Sequence, residues 1–218
     1  MRFIRDNGLS IALMLLFIGS LLGHWFAGLQ VQNEELIRHG QPDLSAIAFL
    51  KDPMFLSTVF ENWESEFLQM AVYVVLTGVL FQRGSAESAD PDAPPRKGDT
   101  IARSSKPSAP AALHRGELTR WIYGHSLGLT LSGLFVASFM LHWIFSAREA
   151  AADAAAHGTA SVSLVEYLGS SQLWFESFQN WQSEFLSTAA IVVLSIFLRQ
   201  QGSPESKPVA AAHGKTGG

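Results

Sequence analysis

Phe60-Glu61-Asn62-Trp63-Glu64-Ser65-Glu66-Phe67-Leu68 returns as Phe178-Gln179-Asn180-Trp181-Gln182-Ser183-Glu184-Phe185-Leu186, with seven of nine positions identical. The same offset of 118 residues pairs His24-Trp25 with His142-Trp143, His39-Gly40 with His157-Gly158 and Gly84-Ser85 with Gly202-Ser203, and no gap is needed. The chain therefore reads as one unit written twice. Copy one covers residues 1–85 and copy two residues 121–203.

Each copy carries two apolar runs. Residues 9–26 and 127–145, 18 and 19 positions long, contain no Asp, Glu, Lys or Arg. Both reach the length that crosses a hydrocarbon layer, about 20 residues at about 1.5 Å each. Residues 67–81 and 185–198 are shorter, and each continues an amphipathic stretch upstream. They complete a span if Glu66 and Glu184 lie near the membrane surface. The pattern predicts an all-α membrane protein with four transmembrane helices, at about 9–28, 62–82, 125–146 and 180–200. These form two tandem parallel helical hairpins, with short interfacial helices on the outer side. Arg2 and Arg5 before the first run resemble a signal peptide, but the run recurs inside the chain, so it is read as a retained helix.

Charge sets the orientation. Twelve of the 15 basic residues fall at the N-terminus, in the central linker or in the tail. The two loops inside the copies hold only Arg38, Lys51 and Arg148, against twelve acidic residues. The positive-inside bias then places both termini and the linker in the cytoplasm of a multi-pass protein of the bacterial inner membrane. Residues 86–120, with Pro94-Pro95 and Pro107, and residues 204–218 are expected to be a disordered linker and a disordered tail. The basic residues there lack interleaved aromatics, which argues against nucleic acid as a partner. Cysteine is absent, so thiolate metal sites and thiol nucleophiles are excluded.

Local signals place the remaining elements. His39-Gly40 and His157-Gly158 are helix stops. Ser163 and Glu166 have capping-box spacing, of which Ser45 keeps only the cap. Asp52-Pro53 starts a long helix expected to run to about Gln82.

On that helix Asn62, Glu66, Gln69, Tyr73 and Thr77 form a polar stripe, which copy two repeats in part as Asn180, Glu184, Ser187 and Ser195. Carboxylates near hydrocarbon are costly unless paired or wet, so the stripe is expected to face inward. Topology puts Glu66, Glu184, His24, His142, Asn62 and Asn180 at one membrane depth as a candidate polar site. The alternative is structural: Trp25, Trp63, Trp143 and Trp181 are expected interface anchors, and their polar neighbours then only tie helix ends. No catalytic residue, cofactor or metal follows from the motifs, and no nucleophile with a positioned base is present, so the chain is read as non-enzymatic.

The doubled Asn-Trp-x-Ser-Glu-Phe-Leu block, with Arg83-Gly84-Ser85-Ala86-Glu87-Ser88 and Gly202-Ser203-Pro204-Glu205-Ser206-Lys207-Pro208, resembles a family of small bacterial integral membrane proteins known only as a domain of unknown function. The resemblance implies a membrane protein and supplies no substrate. Three functional readings stay open: a small cation or proton conduit; a structural or accessory subunit that binds another membrane protein or a second copy of itself; and a haem- or metal-binding protein using His24 and His142. The lipid bilayer is the partner common to all three.

Overall fold

The computed structural model describes residues 2–94 and 96–217; Pro95 of the proline pair and the Arg2 side chain lie outside what it describes. Among the described residues there is no strand. Seven helices run in chain order: α1 (Arg2–Arg38), α2 (Ala46–Phe49), α3 (Pro53–Thr77), α4 (Glu117–Gly124), α5 (Ser126–Ala156), α6 (Leu164–Tyr167) and α7 (Ser171–Phe197), with a 3-10 turn at Ala111–His114. Helices α1 and α5 are long and apolar enough to cross a membrane. They contain the expected segments 9–28 and, apart from His125, 125–146.

The boundaries follow local chemistry. Asp52 accepts the Met54 N–H at 3.0 Å, and Pro53 opens α3 as its cap predicts. That helix ends at Thr77, short of Gln82. The Thr77 hydroxyl donates to the Tyr73 and Val74 carbonyls, and the chain tightens into turns at Gly78 and Val79. Helix α1 closes on a Schellman motif: Gly40, at φ +70°, donates to the Ile37 carbonyl, while Gln41 donates to Leu36. Helix α5 ends the same way, with Gly158 at φ +64° bonded to Ala155 and Thr159 to Ala154. Asn7 (φ −127°, ψ 16°) kinks α1. One offset later, His125 (φ −113°, ψ 10°) separates α4 from α5.

Two compact units divide the chain, and the division falls within α3, α5 and α7. One comprises Met1–Phe60 and Met140–Leu173, the other Glu61–Phe139 and Trp174–Gly218. In the first, Phe49 and Leu173 are fully buried, and Ala147, Tyr167 and Leu173 pack with Trp143 and Ala150. The Asn33 side chain both donates to and accepts from the Leu44 backbone (3.1 and 2.7 Å), which pins the loop after α1 to that helix. In the second, Phe135, Phe139, Trp174, Phe178 and Trp181 form a chain of ring contacts.

Burial is inverted relative to a water-soluble fold. Among the described residues, seven apolar side chains are buried but twelve polar or charged ones are, including Glu64, His142 and Lys207. Leu9, Leu13, Leu16, Val136 and Leu186 are all more than half exposed. So much open apolar surface is the kind that meets a membrane or another protein.

Candidate functional site

The six residues singled out from the sequence are divided between the units. His24 and His142 belong to the first, while Asn62, Glu66, Asn180 and Glu184 belong to the second. His142 is fully buried. The His24 ring shares a 3.1 Å hydrogen bond with the Thr58 hydroxyl and packs on Phe55, centroids 5.3 Å apart. Beside each histidine the indole does the same work: Trp25 Nε1 donates to the Ala46 carbonyl at 3.0 Å, and Trp143 Nε1 to Leu164 at 2.9 Å. Each bond ties a long helix to the short helix capped by Ser45 or Ser163. Among the described residues no group of three or more His, Asp or Glu side chains is arranged to hold a metal ion.

The first unit also contains a cleft of about 240 Å³ lined by Glu35, His39, Asp52, Glu149 and Asp153 among others. His39, on the cleft wall, meets His157 edge-on, centroids 5.0 Å apart, and each bonds the carbonyl four residues back, the helix-end role expected of them. Ser57 donates to Glu149 Oε2 at 2.5 Å. Burial lifts the Asp52 carboxyl above its usual range, and the Met54 N–H works against that shift.

In the second unit polar side chains succeed one another along α3 and α7. Asn180 Nδ2 donates to Glu61 Oε1 at 2.5 Å, and Trp181 Nε1 to Glu64 Oε1 at 2.9 Å. Glu64 has no exposed surface. A step of two on a helix turns a side chain by about 200°, so Glu64 and Glu66 point to opposite faces. Glu64 is buried, and Glu66 and Asn62 are exposed. One turn on, Gln69 Nε2 donates to Thr188 Oγ1 (2.5 Å) and to the Glu184 carbonyl (3.3 Å). Then Tyr73 Oη donates to Glu87 Oε2 at 2.5 Å. Gln69, Tyr73, Thr77, Glu87 and Thr188 share the wall of a cavity of about 350 Å³.

The turns that follow α3 and α7 have one geometry. Gly84 and Gly202 sit at φ +84° and +82°, where a side chain would be strained. The Ser88 and Ser206 hydroxyls accept the Gln82 and Gln200 N–H groups, both at 2.9 Å. Lys207 is 1% exposed and donates to the carbonyls of Gly84 (2.5 Å), His213 (2.7 Å) and Lys215 (3.0 Å). That cage ties the C-terminal segment to the first turn.

A family model, described as a domain of unknown function, matches residues 1–218. The chain belongs to the DUF6766 family. No curated protein and no solved structure matches it. In this DUF6766 chain several site residues escaped sequence reasoning. Glu64 has Gln182 as its counterpart, so repetition gives no signal for it. Glu87 and Glu205 do occur twice, in the doubled Gly-Ser-x-Glu-Ser, so a signal existed. Lys207 had none, because a cage of backbone carbonyls leaves no trace in composition.

Proposed function

We propose that this chain is a four-span protein of the bacterial inner membrane, with α1, α3, α5 and α7 arranged as two tandem hairpins, and that it conducts protons or a small cation. Two apolar helices of spanning length, the inverted burial and the paired geometries 118 residues apart support the membrane reading. One observation carries the conduit: the succession Glu61–Asn180, Glu64–Trp181, Gln69–Thr188, Tyr73–Glu87 within a single unit. A buried carboxylate beside hydrocarbon is expensive, and such residues mark proton and ion routes. Glu64 is the exchangeable group inside the ladder, and Glu66 with Glu184 form its acidic entrance. No step of covalent chemistry is assigned, and the protein is taken as non-enzymatic.

The test is flux into proteoliposomes loaded with a pH-sensitive dye. Wild type should dissipate an imposed proton gradient, and Glu64→Gln and the Glu66→Gln/Glu184→Gln pair should each slow it at least tenfold. No wild-type flux, or equal flux in all three proteins, removes the reading. The orientation has its own check. A label introduced near residue 100 should react only from the cytoplasmic side, and reaction from outside would overturn the topology.

A second reading has one observation behind it. Gly19 and Gly23 lie on α1 with open space where a side chain would stand, and none of that helix's apolar window is buried. Small residues on a bare spanning helix suit close approach by another helix, which fits an accessory subunit or a self-associating protein. Crosslinking through cysteines placed at these two glycines should capture a second chain in membranes if this is so.

A further inference from the structure

The cavity of about 350 Å³ between α3, the turn after it and α7 lies wholly within the second unit. Its wall has two parts. Val72, Leu76, Phe81, Phe185 and Val192 make most of it apolar, and Leu76, Phe81 and Phe185 each keep at least 40% of their surface open. Toward the turn it is polar, with Tyr73, Ser88 and Glu87. Glu87 is the only charged side chain among the described residues that line the cavity. Mostly apolar walls with a few placed polar groups, around a space of a few hundred Å³, are the features of a small-molecule site.

The hydrogen bonds of the wall select the ligand. Each of its hydroxyls already donates: Thr77 to the Tyr73 carbonyl, Ser88 to the Ala89 carbonyl, Thr188 to the Glu184 carbonyl and Tyr73 to Glu87 Oε2. The Gln69 amide is likewise spent on Thr188. An anion entering the cavity therefore meets no free hydroxyl. Glu87 is the opposite case. Its Oε2 accepts from Tyr73, while its Oε1 has no donor among the described residues. An ionised carboxylate accepts about four hydrogen bonds, so capacity is left over. The cations of the neighbouring turns are engaged elsewhere: Arg83 with Asp92 at 2.6 Å, Lys207 and Arg199 with backbone carbonyls. What the wall lacks is a positive charge that brings its own donors.

We propose that this cavity binds a small protonated amine carried on an apolar body, with the ammonium on the Glu87 carboxylate beside Tyr73 and the apolar part against Leu76, Phe185 and Val192. A charge-assisted bond to a carboxylate is among the strong ones, and aromatic rings in the same wall favour a cation over an anion. The occupant is a free amine and not an aminophospholipid. A phospholipid head brings a phosphate as well, for which the wall offers neither a cation nor a free hydroxyl. The site shares Tyr73 and Glu87 with the ladder, but it does not depend on proton conduction.

Titration calorimetry with octylamine, octanol and octanoate tests it, on the full chain in phosphatidylcholine nanodiscs with empty nanodiscs as the reference. Octylamine should saturate at one per chain, and octanol and octanoate should bind at least tenfold more weakly. Glu87→Gln should weaken octylamine at least tenfold and leave octanol unchanged. Leu76→Trp, which fills the apolar part from an exposed position, should weaken both. If Glu87→Gln fails to fold, the amine–alcohol comparison in wild type and Leu76→Trp decide. No saturable binding above empty discs, octanol binding as tightly as octylamine, or an unchanged octylamine affinity in folded Glu87→Gln overturns the proposal. So does loss of octylamine binding when phosphatidylethanolamine is added to the discs, because the lipid is then the occupant. Proton flux in the same preparations is a separate readout. Amine binding without flux removes the conduit and leaves the site, and flux without amine binding does the reverse.

Discussion

Replacing Lys207 by methionine keeps the aliphatic stem and takes the ammonium out of its ring of carbonyls. The native group makes three short bonds of 2.5, 2.7 and 3.0 Å to Gly84, His213 and Lys215 and a longer one of 3.4 Å to Ala212. Two further bonds depend on the register it sets, from the Gly84 N–H to Thr216 Oγ1 and from the Gly217 N–H to the Ser85 carbonyl, both 2.9 Å. Net, a hydrogen bond to a charged group contributes about 1.5–3 kcal/mol. Against the sum stand dehydration of the ammonium and the Arg199 charge, which pull Lys207 below the usual lysine range. Dehydrating a charge costs several kcal/mol in real proteins, so three bonds leave a balance of about 1–3 kcal/mol.

The cage is one chain thick, and its carbonyls meet water once the tail lifts. The loss therefore falls on local opening of the tail and not on the helices. A change of that size multiplies the open population roughly 5- to 150-fold. Hydrogen exchange should read this factor at the amides of Gly84 and Gly217 in Lys207→Met, while helical circular dichroism stays at the wild-type value. Unchanged protection at both amides would mean that the ammonium holds nothing, and the account of the tail would fail.

Leu173 has no exposed surface and packs with Ala147 and Tyr167, so Leu173→Ala should cost about 2–5 kcal/mol, visible as a lowered midpoint of thermal unfolding in detergent. Gly158→Ala forces a side chain into the left-handed region at φ +64°; a loss of about 1–2 kcal/mol is expected, and an unchanged midpoint would contradict the helix-stop geometry. Glu166 is held below the usual carboxylate range by the Ser163 side chain and then its N–H. Its contribution to α6 is therefore complete above the ordinary carboxyl pKa and vanishes as pH falls through the folded one. Protection of α6 amides should drop on acidification in wild type and become insensitive to acid in Ser163→Ala.

The scaffold was legible because its signals are local. Glycine after histidine ended α1 and α5, Asp52-Pro53 opened α3, and the Ser163–Glu166 spacing became a capping box with both bonds made. The end of α3 was not legible, since the apolar run continues to Phe81 while the Thr77 hydroxyl and Gly78 tighten the backbone earlier. For the site, the polar stripe gave Gln69 and Tyr73 their places on the cavity wall. Repetition singles out Glu66, paired with Glu184, over Glu64, but it carries no information about which side of a helix is covered. Burial of Glu64 and its bond from Trp181 distinguish them.

Comparison of the copies separates scaffold from chemistry on physical grounds. At several positions where the copies are identical, the shared residues make the same local bond twice: Trp25 and Trp143 to a short-helix carbonyl, Ser88 and Ser206 to the turn N–H, Ser65 and Ser183 to the carbonyl three residues back. Such bonds hold a backbone and are indifferent to what the rest of the chain does. At three positions where the copies differ, a group capable of charge stands in one and a neutral one in the other: Glu64 against Gln182, Tyr73 against Ile191, Lys207 against Ala89. Two copies of a buried carboxylate would repel or demand two donors, and two buried ammonium groups would double a cost that one already incurs. A single Glu64 needs one Trp181, and a single Lys207 needs one ring of carbonyls. Asymmetry at these three positions means that each buried polar group is accommodated once and not twice.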